Sequence, residues 1–345
     1  MLEADSNVMV GSRSYNLNGL TVSVIASDEA LCTCLDSFLG PLATDGEIAS
    51  HWEVRISFTE ALPNMQSGQL VWEGDLPERL PSVLRRDGMN RNLLIRDHLA
   101  LYANQYQKRI DVMVRRGSEN VLRGSASSNI VAEIIHGNGQ FLIHAACLLQ
   151  AETDEALLIF APSGRGKTTT SLALARSGWR LIGDDATILG INRNEPIVWA
   201  LPRALNIRRR TEELLPWLAN ATKPWNGKDE QSLPLSSIMP FISHAAPAPR
   251  RCRAIVLLDA PNGSAHKLTR LDRSEALLRI LADNLGIAPD GMDDQDKSRL
   301  DSLVLLAKHT TVLGLSVGPD IDTLSSRLEA ACIQNHLANG VAVTS

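Results

Sequence analysis

The stretch Ala156–Ala175, ALLIFAPSGRGKTTTSLALA, constrains this chain more than any other segment. An apolar run too short for a helix gives way to small residues, then to Lys-Thr, then to helix formers. That order predicts a buried strand, a tight loop and a helix. Gly164 and Gly166 let the backbone curl so that successive N–H groups point inward. The helix starting near Lys167 adds its positive end. A ring of amides closed by a lysine suits phosphate oxygens. Ala161, Pro162, Ser163, Gly164, Arg165, Gly166, Lys167, Thr168 and Thr169 are therefore expected to cradle the phosphates of ATP. Lys167 would reach the β- and γ-phosphates, and the Thr168 hydroxyl would hold Mg2+, which prefers hard oxygen ligands. The general pattern begins with Gly where this chain has Ala161. A Cβ there argues against a left-handed backbone at that point. The bland alternative is a Gly-rich turn with an exposed lysine, but strand, loop, Lys-Thr and helix all agree.

The rest of the chain supports a folded protein around that motif. Its 345 residues fit about two domains. A 44% hydrophobic and 21% charged composition is ordinary for a globular protein. The net charge of −5 offers no electrostatic footprint for duplex nucleic acid. The basic clusters Arg85-Arg86, Arg208–Arg210 and Arg250-Arg251 read first as solvated surface, and second as docking points for phosphate or an acidic partner. Five scattered cysteines (Cys32, Cys34, Cys147, Cys252, Cys332) lack zinc-site spacing and fit reduced thiols. No apolar run reaches about 18 residues, and no charged start precedes an apolar core and cleavage site. A cytoplasmic protein with no membrane partner is expected.

Residues 1–20 read as an irregular start. Strands are expected at Leu20–Ala26, His51–Phe58, Leu70–Trp72, Asn92–Ile95, Ala100–Tyr106 and Arg109–Val114, with a helix at Asp28–Leu39 capped by Asp28. Residues 1–124 thus form a β-rich, antiparallel domain, a platform or substrate-recognition module. A catalytic domain is expected over 125–335 and a tail over 336–345. Within it, Ser125–His136 is helical, and Phe141–Leu149 with Ala156–Phe160 reads as a hairpin. Arg180–Ile182 is a strand, and Ala186–Ile191 with Ile197–Ala200 a second hairpin. Residues 218–250 are irregular and a lid candidate. Ala254–Asp259 and Thr311–Val317 read as strands, and Asp272–Leu285, Asp296–Ala307 and Asp322–Ala331 as helices.

A second chemical signal is Gly183-Asp184-Asp185, at a strand end shortly after the loop. Phosphoryl transfer needs positioning, metal and a carboxylate for the incoming hydroxyl's proton. Adjacent carboxylates can divide those tasks, because like charges push one pKa upward. The alternative is a turn or N-cap pair. His144 reads first as a core residue and Arg203 first as a packing or surface arginine, with phosphate clamping the sharper reading of Arg203. Lys228 and Arg251 flank the 218–250 stretch and read mainly as surface.

Together, IHAACLL, LLIFAPSGRGKTTTSLALARSGWRLIGDDATIL and LPRALNIR resemble the catalytic domain of the HPr kinase/phosphorylase superfamily, closest to its HPr kinase-related branch, which includes lasso peptide kinases. The resemblance covers about 125–335 and is strongest over 142–190. It implies an α/β fold: a P-loop-containing mixed sheet flanked by helices, of the kind phosphoenolpyruvate carboxykinase shares, preceded by the β-rich domain. It implies an ATP- and Mg2+-dependent kinase acting on a Ser/Thr-type hydroxyl of a peptide or protein, and it allows a homo-oligomer. Asp184 matches the general base, Asp185 the carboxylate near the metal, and His144 a histidine beside the catalytic centre. Leu201 stands where the bifunctional enzymes carry Glu, and their glycines are missing from ALPRALNIR. A small-metabolite or carboxykinase-like phosphotransferase and a non-catalytic ATP-binding regulator remain as alternatives.

Overall fold

A computed structural model describes residues 10–44, 49–76, 78–150, 152–225, 227, 229–261, 263–285 and 291–339, with side chains through 331. The chain forms two compact units, one of residues 1–140 with 287–295 and one of 141–286 with 296–345. The division falls after Gln140 rather than after 124, and a later segment returns to the first unit.

The first unit is built on an eight-stranded sheet in the order β1-β2-β3-β8-β7-β6-β5-β4. The strands are β1 (Gly11–Leu17), β2 (Leu20–Ala26), β3 (Trp52–Thr59), β4 (Gln69–Asp75), β5 (Pro81–Asp87), β6 (Asn90–Ile95), β7 (Leu99–Asn104) and β8 (Arg109–Arg115). Three features differ from the sequence expectation. Part of the expected irregular start is a strand: Gly11–Leu17 pairs antiparallel with β2, from Leu17↔Leu20 outward, and residues 1–9 lie outside the described residues. Asn18 (φ 52°) and Gly19 (φ 93°) both take the left-handed backbone that a two-residue hairpin turn demands. Tyr15 and Leu17 alternate inward and are fully buried. Second, β5 joins the sheet although PSVLRRD is polar, because it lies between β4 and β6 with only part of its surface covered. Third, the sheet is mixed, since β2–β3 and β3–β8 run parallel. Helix α1 (Glu29–Leu39) is the crossover that parallel pairing requires. Asp28 caps it, its side chain accepting the Ala30 N–H at 2.9 Å. Helix α2 (Ser125–His136) also belongs to this unit.

The second unit is a mixed α/β domain on a nine-stranded sheet. Its strands are β9 (Phe141–Ile143), β10 (Ala146–Leu149), β11 (Ala156–Phe160), β12 (Arg180–Gly183), β13 (Thr187–Asn192), β14 (Glu195–Ala200), β17 (Arg250–Leu258), β18 (Lys267–Arg270) and β19 (Thr311–Ser316). Between them in sequence lie β15 (Leu205–Arg208) and β16 (Glu230–Leu233), a separate two-stranded ladder. The helices are α3 (Lys167–Arg176), α4 (Arg209–Leu214), α5 (Leu235–Ile238), α6 (Arg273–Asn284), α7 (Asp294–His309) and α8 (Leu324–Asn339). The 218–250 stretch is thus partly ordered by β16 and α5. Residues 340–345 of the expected tail lie outside the described residues.

Strands β11, β17 and β19 run parallel at the centre. Both faces of this sheet are covered, which is why ALLIF is apolar throughout rather than alternating. Leu157 and Ile159 face the core shared with Leu172 and Leu174 of α3 and Leu324 and Leu328 of α8. Leu158 and Phe160 face the other core, with Ala276 and Ile280 of α6 and Leu303 and Leu306 of α7. Among the described residues, no helix is long and apolar enough to cross a membrane.

Candidate active site

Sheet direction brings the chemical residues to one place. β10 is antiparallel to β11 and to β12. Two reversals make β12 run the same way as β11, so both end at the same edge of the sheet. The 161–166 loop leaves β11 there, and Asp184-Asp185 follow β12 there. The chain enters β10 at that edge, directly after His144. Crevices at the carboxyl ends of strands are where open α/β sheets bind ligands.

The loop turns on its two glycines. Gly164 (φ 77°) and Gly166 (φ 94°) are left-handed, and Gly166 caps α3. Ala161 has no positive φ and is buried among the apolar residues under α3, so its Cβ is accommodated. The amides of the first turn of α3 have no intrahelical acceptor, as at any helix start. Pro162, Ser163, Gly164 and Arg165 are exposed, Thr168 and Thr169 are half-buried, and Lys167 is buried.

The two aspartates have different surroundings. Asp184 is buried and accepts the Thr168 hydroxyl on Oδ2 at 2.5 Å and the Ser171 hydroxyl on Oδ1 at 2.7 Å. Burial pushes its pKa up, opposed by those two hydrogen bonds and by the charge of Lys167. Asp185 is half-exposed, and its Oδ1 meets Lys167 Nζ at 2.6 Å and His144 Nε2 at 2.8 Å. Burial acts to raise the Asp185 pKa, but the His144 hydrogen bond and the Lys167 charge outweigh it and hold the group well below the carboxylate range. Thus Lys167, His144 and Asp185 form one cluster and Thr168, Ser171 and Asp184 another. The carboxylate beside Thr168 is Asp184, whereas the sequence reading put Asp185 near the metal with Thr168.

Several supporting residues escaped the sequence reading. The expected Phe141–Leu149 strand breaks at His144 and Ala145, where the backbone leaves the ladder. Two of its polar groups are collected by side chains: the His144 N–H donates to Asn284 Oδ1 at 2.7 Å, and Thr187 Oγ1 donates to the Ala145 carbonyl at 2.7 Å. Asn284 is buried and anchored through Nδ2 to the Ile280 carbonyl at 2.9 Å. Ser171 sits three residues after Thr168 and so on the same helix face, a signal the sequence did carry. Gly183 is needed for close approach, since a Cβ there would lie 2.7 Å from Ala200 Cβ and 2.9 Å from the Leu201 carbonyl.

Among the basic candidates, Arg203 is half-buried ahead of β15. Arg251 pairs with Glu195 at 3.1 Å, and Lys228 lies outside the described residues. The arginine that reaches the loop is Arg208, at the end of β15. A Cβ on Gly164 would stand 2.9 Å from its Nη1.

The adjacent Thr168 hydroxyl and Asp184 carboxylate are hard oxygen donors of the kind magnesium takes. Among the described residues, no cluster of three or more His, Cys, Asp or Glu could hold a metal. Hydroxyl and carboxylate oxygens fit magnesium, which keeps waters and shares substrate phosphates.

Neither known family profiles nor curated proteins match this sequence. Among solved structures, the Hpr(Ser) kinase/phosphatase from Coxiella burnetii is similar over 57% of this chain and 97% of that one, at 15% identity and a TM-score of 0.26. The superposition is too loose for any residue correspondence to be drawn from it.

Proposed function

We propose that the second unit is a phosphotransferase that uses ATP and Mg2+. More particularly, we propose a serine kinase of the HPr kinase-related type, acting on a hydroxyl of a peptide or protein. One observation carries the reading: the amide loop ending in Lys167 and both aspartates meet at one sheet edge, with Lys167 touching Asp185 and Thr168 touching Asp184.

In this reading the amides of 161–169 and Lys167 hold the phosphates of ATP. Thr168 and Asp184 would hold Mg2+, which when bound neutralises phosphate charge. The accessibility of the two aspartates favours exchanging the roles expected from sequence, although the raised pKa of Asp184 would make it the stronger base. Asp184 is buried, each of its oxygens accepts one hydroxyl, and the lone pairs left over would serve the metal beside Thr168. Asp185 is open to an acceptor and oriented by His144. The acceptor oxygen attacks the γ-phosphorus, and the bond from that phosphorus to the bridging oxygen of ADP breaks. The hydroxyl proton passes to Asp185, and Lys167 offsets the charge of the departing ADP.

The test is transfer of labelled γ-phosphate from ATP to Ser-containing peptides and to small hydroxyl compounds. Lys167→Ala should abolish transfer. Wild-type transfer by that variant would sink the reading, and transfer to small compounds alone would replace the peptide acceptor with a metabolite.

A further inference from the structure

The guanidinium nearest the middle of the phosphate loop comes from outside the loop. Arg208 ends β15, and its Nη1 lies 2.9 Å from where a Cβ on Gly164 would stand. It is exposed and has no carboxylate partner among the described residues. Its neighbours are engaged elsewhere. Arg209 lies over the Trp225 ring at 5.6 Å with Asp229 at 3.9 Å, and Arg210 pairs with Glu213 at 2.9 Å.

An unpaired cation beside the N-terminal turn of α3, where the amides lack intrahelical acceptors, has no compensating charge among the described residues. The arrangement makes electrostatic sense when an anion lies between them. Arg208 is also held in place. Leu205 and Ile207 of the same strand are buried, and Arg208 pairs in register with Glu230 of β16. Just beyond it, the Thr211 hydroxyl meets the Thr169 hydroxyl at 3.0 Å, tying α4 to the first turn of α3. The backbone that carries Arg208 is therefore tied to the loop through both its strand and the following helix.

We infer that Arg208 is a substrate-binding residue that contacts the terminal phosphate of the nucleotide and makes the site favour a triphosphate over a diphosphate. The inference rests on the reading that the loop binds ATP. Lys167 is buried and closes the inner end of the loop, whereas Arg208 approaches the exposed middle. Its planar fork can donate two parallel hydrogen bonds to one phosphate, which the point charge of a lysine cannot.

Calorimetric titration of MgATP and MgADP into the full chain tests this. Wild-type protein should bind ATP more tightly than ADP. Arg208→Ala should weaken ATP binding about 10- to 100-fold, as expected for losing a bidentate charge-assisted contact, while ADP affinity stays within about threefold. Arg208→Lys should recover only part of the loss. Unchanged ATP affinity in Arg208→Ala, or equal weakening of ATP and ADP, would overturn the inference and leave the loop reading standing. Wild-type protein that binds neither nucleotide would overturn both.

Discussion

Replacing Asp184 by Asn separates function from stability in a way that follows from its surroundings. Two opposing quantities act on the ionised carboxylate. Its hydroxyl bonds to Thr168 and Ser171, at about 1.5–3 kcal/mol for a hydrogen bond to a charged group, and the nearby charge of Lys167 favour the ionised form. Burial penalises it, by several kcal/mol per ion. The raised pKa says that burial wins. A folded-state pKa above the unfolded value means that the carboxyl stabilises the fold while protonated. That contribution is full below the unfolded pKa and is lost as pH rises through the folded pKa. At pH 7 the native carboxylate therefore carries a net cost that a neutral Asn avoids. Asn still accepts one hydroxyl, so the variant should be more stable by about 0–2 kcal/mol. That raises Tm by up to about 4–8 °C for a domain of this size. The gap should close as pH is lowered toward 4 and the native carboxyl gains its proton. Scanning fluorimetry of both proteins from pH 4 to 8 reads the difference, and labelled-ATP transfer should meanwhile fall by about 10²–10³ as charge beside the phosphates is lost. A variant that loses more than about 2 kcal/mol at pH 7, by the same amount at every pH, would refute the reasoning. It would make Asp184 a structural anchor instead.

Asn284→Ala should lower stability by about 1–3 kcal/mol in chemical denaturation, because the His144 N–H loses its acceptor. It should also reduce transfer by up to about a hundredfold as His144 shifts away from Asp185. Gly183→Ala forces a Cβ against Ala200 and the Leu201 carbonyl, and should cost about 1–3 kcal/mol on the same measurement.

What was legible in the sequence was local or periodic. The strand, loop and helix from Ala156 to Arg176 announced themselves because glycines, lysine and apolar run sit next to one another in the chain. Asp28 and Asp272, capping α1 and α6, are likewise local signals. The Asn18-Gly19 hairpin was legible too, and the polar composition of residues 1–20 hid it. Long-range groups left no such trace. Asn284 reaches His144 from the end of α6 in the fold alone, and no spacing announces it. Arg208 looked like one member of a surface cluster, and only the β15–β16 ladder turns it toward Gly164. The division of labour between Asp184 and Asp185 also lay beyond sequence. Adjacent residues after a strand point to different sides, and which side holds the hydroxyls is a tertiary fact.

That division is decided by Asp185→Asn. Asp185 holds the ammonium of Lys167, so a phosphate that binds Lys167 must compete with it for that charge. Because Asp185 is half-exposed, water screens the pair, and its worth falls to about 0.2–1 kcal/mol. Removing the charge should therefore tighten MgATP binding by up to about fivefold. Phosphate transfer should drop by about 10²–10⁴ for loss of the proton acceptor. The pH dependence runs opposite to that of Asp184. A depressed folded-state pKa stabilises the fold above the unfolded value of about 4 and is lost as pH falls below it. The Asn variant should thus melt lower than wild type at pH 7, with the gap closing in acid. Weaker rather than tighter MgATP binding would place Asp185 beside the metal and return the proton to Asp184, since a carboxylate that only competes for Lys167 cannot help the nucleotide to bind.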